Sequence, residues 1–243
     1  MKVLTPLRRL LGVALFIAVP ISKEWSSHVI RFLSSIWLII PFYAFGGKTL
    51  AIHALIGALI SIVFSACIYS AYEEALYAIE GLRDFFLASP LTSFEFRVGL
   101  ALGIFLTTLP SVAVCLLMIF ILTKCCIIKL LLVVFMTLIL WITSVLIGYL
   151  VPVRMDVLAT GNIIRILTIV FVVLPPIYYP LTVWPEPLRI LAYAIPTFNI
   201  SEIMKIILGV EQCTQQHLMT TIIAFIIEFL VITSLVYKRA KLG

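Results

Sequence analysis

Glu228 is the one acidic residue inside the otherwise uncharged run from Gln212 to Tyr237, and an ionisable group at that depth is a functional hypothesis by default. Three readings stay open for it: a hydrogen bond to a neighbouring helix or second subunit, a proton carrier, or a group near the boundary of the run. His28, His53 and His217 fall on different segments with no acid at ligand spacing, so no metal ligands are assigned and His53 reads as a packing residue. Cys67, Cys115, Cys125, Cys126 and Cys213 form neither a CxxC pair nor a Cys/His cluster, which indicates no zinc site and no disulfide framework. Pairing among Cys125, Cys126 and Cys213 is left open. The pair Glu73-Glu74 would need an arginine at position 78 and paired histidines for a hydrolytic role, but that position is Ala78. Gly47-Lys48-Thr49 looks like the end of a phosphate-binding loop, yet the glycine required five positions earlier is Phe42. The chain therefore reads as a non-enzyme with no cofactor of its own, and any ATP-driven work requires a second polypeptide.

The elements that must carry these residues follow from composition. Of 243 residues, 63% are hydrophobic and 12% charged, against about 25% charged in soluble domains. So few charges do not cover a water-exposed surface, and the bilayer is the solvent that remains. The net charge of +6 is placed beside apolar runs, where anionic lipid headgroups account for it without nucleic acid. Charge-free windows mark the spans, because a charge at the centre of a lone spanning helix costs about 3 kcal/mol. These windows predict an all-α polytopic protein of six transmembrane helices, over residues 28–45, 49–72, 98–123, 130–153, 163–181 and 212–237. The first is short, and the fifth ends in Pro175, Pro176 and Pro180, where a helix should break. Ahead of them, residues 1–27 carry Lys2, Arg8 and Arg9 before an apolar run. An interfacial amphipathic helix is the favoured reading; a signal sequence and a membrane-dipping segment are the others.

Six spans leave both termini on one side, and that side holds twelve of the 17 basic residues, so both termini should be cytoplasmic in a plasma-membrane protein. Residues 73–97 then form a cytoplasmic connection. Tyr72 to Glu80 should extend the second span, Gly81 permits a turn, Leu82 to Pro90 can form a short helix, and Ser89 through Glu95 can start the next. Phe85, Phe86 and Leu87 are apolar with nothing obvious of their own to pack on, so a partner surface is expected to cover them; contact with lipid or neighbouring helices is the plainer alternative. Residues 182–211 form an external segment. Leu188 to Ile195 and Phe198 to Val210 are each too short to cross and are separated by Pro196, which suggests a re-entrant pair serving as a gate, or a structural cap.

This order of elements resembles the ABC-2-type permeases of ABC exporters, and two motifs carry the resemblance. One is Glu80-Gly81, then Leu87-Ala88-Ser89-Pro90-Leu91-Thr92, then Glu95 and Gly99. The other is Pro176-Ile177-Tyr178-Tyr179-Pro180, then Trp184-Pro185, Pro196 and Gly209, with Lys205 standing where that family often has an arginine. The resemblance spans the whole chain. It implies a permease subunit that pairs with a second copy or a related permease and docks on a separate ABC-family ATPase, which holds ATP and Mg. Glu80, Gly81, Arg83, Asp84, Phe85, Phe86, Ser89, Pro90 and Glu95 would couple to that ATPase, and Pro176, Tyr179, Pro180, Trp184, Pro185 and Pro196 would form an external gate. A drug, lipid or glycan substrate fits such a pathway. The alternative is a secondary transporter without an ATPase, which usually shows matched helix breaks in two halves, whereas here the prolines cluster between Pro175 and Pro196.

Overall fold

The computed structural model describes residues 4–23, 33, 37, 39–151, 156–211 and 214–242. They form helices and turns, with no strand among them: α1 (Leu4–Ser22), α2 (Ile39–Ile79), α3 (Leu82–Leu87), α4 (Ser93–Thr123), α5 (Ile127–Tyr149), α6 (Val157–Thr168), α7 (Glu186–Ala192), α8 (Pro196–Leu208) and α9 (Gln215–Leu242). Four of these, α2, α4, α5 and α9, are long and apolar enough to cross a membrane, and α7 with α8 would make a fifth crossing or a re-entrant loop, bent by 99° at its break. The protein is a helical, multi-pass membrane protein. Half of the first predicted span, residues 28–45, lies outside the described residues; its final turns, from Ile39, belong to α2.

Local chemistry explains where the helices stop. Gly47 interrupts α2 with φ 61° and ψ −156°, a backbone region open essentially to glycine alone. The helix then runs unbroken past Tyr72 to Ile79. Thr92 and Glu95 form a reciprocal capping box at the start of α4: the Thr92 hydroxyl accepts from the Glu95 N–H at 3.1 Å, and the Glu95 carboxylate accepts from the Thr92 N–H at 2.8 Å. α6 passes into a π-helical turn, Ile169–Val173, closed by the Leu174 N–H on the Ile169 carbonyl at 2.8 Å. Pro175 and Pro176 have no N–H with which to continue it, so the helix ends short of the predicted limit at residue 181. Pro196 opens α8 at its first turn, where its missing N–H costs nothing, and Gly209 closes it in a left-handed turn.

α2 is the axis of the bundle. It is apolar all round, with Leu55, Ile56, Leu59, Ile60, Phe64 and Ile68 fully buried, because α4, α5, α6 and α8 surround it. α1 lies on α4 and buries Val13, Ala14, Ile17 and Ala18 while Leu11, Leu15 and Val19 face outward. The seam is close: a Cβ placed on Gly103 would lie 2.7 Å from the Ala14 carbonyl oxygen, and one on Gly99 would lie 2.9 Å from the Val13 Cβ. α9 packs on α8 and α5 and leaves most of its apolar side chains outward. Within α4 and α5 the buried hydroxyls turn back on their own helices. Thr107 and Thr108 donate to the carbonyls of Ile104 and Phe105, and Thr137, Thr143 and Ser144 to those of Val133, Ile139 and Leu140, all at 2.7–2.9 Å.

Candidate functional sites at the two ends of the bundle

His53 and Glu74 stand 21 residues apart on α2, which at the helical rise is about 30 Å, the thickness of a bilayer core. Each marks a polar cluster at one end of the bundle.

At the Glu74 end, Gly81 takes φ 74° to turn the chain out of α2 and into α3. Arg83 on α3 donates its Nε to the Glu74 Oε1 at 3.2 Å, and Arg97 on α4 pairs with the Glu74 Oε2. Arg97 also donates to the Tyr149 carbonyl at 3.0 Å and stacks 4.7 Å from the centroid of that tyrosine ring. One buried carboxylate thus ties α2, α3, α4 and the end of α5 together. Ser89 donates to the Phe86 carbonyl at 2.5 Å, closing the end of α3, and Arg9 on α1 donates to the Pro90 carbonyl at 2.6 Å.

The expectation that Phe86 lacks an internal packing partner is corrected. Its ring lies 5.2 Å from that of Phe16 on α1 and 5.4 Å from that of Phe96 on α4, and Leu87 packs on the same cluster. The α1 helix supplies this cover because its Phe16 sits directly over the turn. Phe85 is different, being 72% exposed, and Glu80 and Asp84 are exposed beside it. A cavity of about 520 Å³ lined by Arg9, Val13, Phe85, Phe86 and Ser89 opens next to α3. Glu95 faces its own helix start and acts as a cap rather than as a free contact.

At the opposite end the proline-rich segment closes around Lys205. Its ammonium is fully buried and donates to the carbonyls of Pro176 and Tyr179 at 3.2 Å each and to the Glu202 Oε1 at 2.7 Å. Trp184 Nε1 donates to the Tyr179 hydroxyl at 3.1 Å, and Arg189 Nε donates to the Trp184 carbonyl at 2.9 Å. Pro180 precedes a single 3-10 turn, Leu181–Val183, while Pro185 and Pro196 mark the starts of α7 and α8. The structure therefore brings the segment from Pro176 to Trp184 onto α8.

Two groups that the sequence separates meet here. Glu228 Oε2 accepts from Asn199 Nδ2 on α8 at 2.8 Å, which makes Glu228 a hydrogen-bond partner of a neighbouring helix. His217 on α9 sets its Nε2 3.3 Å from the Glu202 Oε2 and its Nδ1 2.7 Å from the Tyr193 hydroxyl. Glu211, between α8 and α9, lies 3.9 Å from the His53 Nδ1. Burial, together with the hydrogen bond it shares with the Glu202 carboxylate, pushes the Glu211 carboxyl up to about 8. Spacing along the chain carries no signal for this cluster, because 164 positions separate His53 from His217. Compared with known proteins, the chain matches no family model and no curated protein.

Proposed function

We propose that this chain is the membrane permease subunit of an ABC-2-type exporter, forming the substrate pathway with a second permease copy and coupled at α3 to a separate ATPase. The observation that carries the reading is α3 itself. It is a short helix outside the long ones, held to three of them by Arg83, Glu74, Arg97 and Phe86, while Phe85, Glu80 and Asp84 face outward. An exposed aromatic among charges is what a partner groove would seat, and the rigid anchorage behind it is what force transmission requires.

In this reading the α3 end faces the cytoplasm. Closure of an ATPase dimer on ATP displaces α3, and the ties to α1, α2 and α4 pass that displacement to the long helices as bodies rather than into a pliable loop. Solute leaves past the segment from Pro176 to Pro196 at the far end. Drugs, lipids and glycans are the substrate classes that suit these apolar and aromatic walls. Charging Phe85, or replacing Gly81 or Pro90, uncouples transport from ATP hydrolysis; normal transport by all three variants refutes the assignment.

A second reading, a secondary transporter that needs no ATPase, draws on one observation: the ionisable cluster at the far end, in which Glu202 and Lys205 are fully buried and Glu211 and His217 half-buried. Purification from the native membrane in mild detergent separates the two. A stoichiometric partner bearing a phosphate-binding loop is expected, and its reproducible absence favours the carrier.

A further inference from the structure

The far cluster has a geometry that the exporter reading does not use. One ligand atom each from Glu202, Glu211 and His217 lies within 4.8 Å of the others. The 3.3 Å between His217 Nε2 and Glu202 Oε2 matches the edge of a ligand tetrahedron, about 3.3 Å when nitrogen and oxygen donors sit roughly 2.0–2.1 Å from zinc. His53 is 1% exposed, and its Nδ1 has no hydrogen-bond partner. The Glu211 Oε1 that it faces at 3.9 Å has none either. Two buried polar atoms aimed at each other without a proton-sharing distance between them are costly unless a third group joins them.

The surroundings are those of a ligand set rather than of a plain ion pair. Tyr193 holds the Nδ1 side of His217, which fixes the ring so that Nε2 points at the carboxylates, the usual outer support of a metal-bound imidazole. Lys205 engages the Oε1 of Glu202 and is otherwise met by backbone carbonyls, so the Oε2 on the His217 side has no ammonium on it. Arg189 is turned to the carbonyls of Trp184 and Thr182. A cavity of about 500 Å³ reaches His53, Glu211 and His217 from outside.

We propose that Glu202, Glu211 and His217 bind one divalent transition-metal cation of the zinc class, with His53, 3.9 Å from Glu211, closing onto it from α2 as the fourth ligand, so that the ion pins α2, α8 and α9 together at this end. Two imidazoles with two carboxylates select zinc-like ions over magnesium or calcium, which take all-oxygen shells. The site is independent of the exporter reading and stands whether or not an ATPase copurifies.

The test uses the full-length chain in detergent, stripped with a chelator and titrated with Zn²⁺ alone against a chromophoric competitor. One Zn²⁺ per chain is expected, with a rise in melting temperature that EDTA reverses. Tyr193→Phe, which leaves every ligand in place, should weaken binding by about 10- to 100-fold. His217→Ala and Glu211→Gln should each abolish stoichiometric uptake, while joint replacement of Cys125 and Cys126 by serine leaves it unchanged. Co²⁺ should give ligand-field bands without thiolate charge transfer. Absence of uptake at micromolar free Zn²⁺, uptake indifferent to His217→Ala and Tyr193→Phe, or a thiolate band with Co²⁺ overturns the proposal.

Discussion

A methyl group added at Gly103 tests whether α1 seats the α3 turn. The added Cβ would lie 2.7 Å from the Ala14 carbonyl oxygen and 3.0 Å from the Ile17 Cβ, and the first of these is backbone that no rotamer change can move. Ordinary contact begins near 3.4 Å, so α1 must retreat by about 0.7 Å, and overpacking of this kind costs about 1–3 kcal/mol. Replacing glycine by alanine inside a helix returns about 1 kcal/mol of propensity, which would mask part of that cost. Gly12→Ala is the internal control, since Gly12 lies within α1 with nothing inside 4 Å of its added Cβ and gains the same propensity without the clash. The difference between the two variants therefore isolates the seam. At about 2–4 °C per kcal/mol for a chain of this size, Gly103→Ala should melt about 2–12 °C below Gly12→Ala in the same detergent. Gly103→Val should melt lower still. Because Phe16 covers Phe86 and Arg9 holds the Pro90 carbonyl, loosening α1 should also quicken maleimide labelling of a cysteine placed at Phe86. Equal melting of Gly103→Ala and Gly12→Ala would refute the close seam, and unchanged labelling would refute its role in seating α3.

Other perturbations separate the anchor of α3 from its exposed face. Phe85→Asp should change stability by less than about 0.5 kcal/mol, since the side chain is largely outside, yet prevent recovery of the ATPase in a pull-down; retained partner binding counts against the docking role. Glu74→Gln leaves two guanidiniums without their carboxylate. A broken buried pair costs about 3–5 kcal/mol, and the Tyr149 carbonyl and ring that Arg97 keeps bring this to about 2–3 kcal/mol, readable in denaturant unfolding and partly recovered by adding Arg97→Met. Gly47→Ala should cost about 1–3 kcal/mol although its Cβ meets nothing, because the penalty lies in the backbone angles; an unchanged melting temperature would show that the break can relax.

Charge-free windows led to long apolar helices because bilayer hydrophobicity is a local, additive property, readable one residue at a time. A helix start within Ser89 to Glu95 and a break at the prolines from Pro175 were also legible, since caps and prolines act within one turn, but the limit set at residue 181 overshot because the helix ends ahead of the first proline. Phe86 was misread for the opposite reason: its cover comes from Phe16, seventy residues earlier, on a helix whose placement local patterns do not specify. The meeting of His53, Glu202, Glu211 and His217 was hidden in the same way, because three helices converge on it and none carries two ligands at helical spacing. Glu228 drew notice as a lone acid, but its partner Asn199 lies in a segment whose fold depends on the Lys205 contacts.

The hydroxyls of α4 and α5 have a mechanical consequence. Thr108, Thr137, Thr143 and Ser144 each commit their single proton to a carbonyl of their own helix, so none has a proton left to donate to a neighbour. Through the middle of the bundle these two helices adhere by shape, and one can slip past the other without breaking a hydrogen bond from these residues. Their specific fastening sits at one end, where Arg97 on α4 meets the Tyr149 carbonyl and ring beside Glu74. A pair greased along its length and pinned at one end pivots about the pin, and releasing the pin sets the two shafts free to slide.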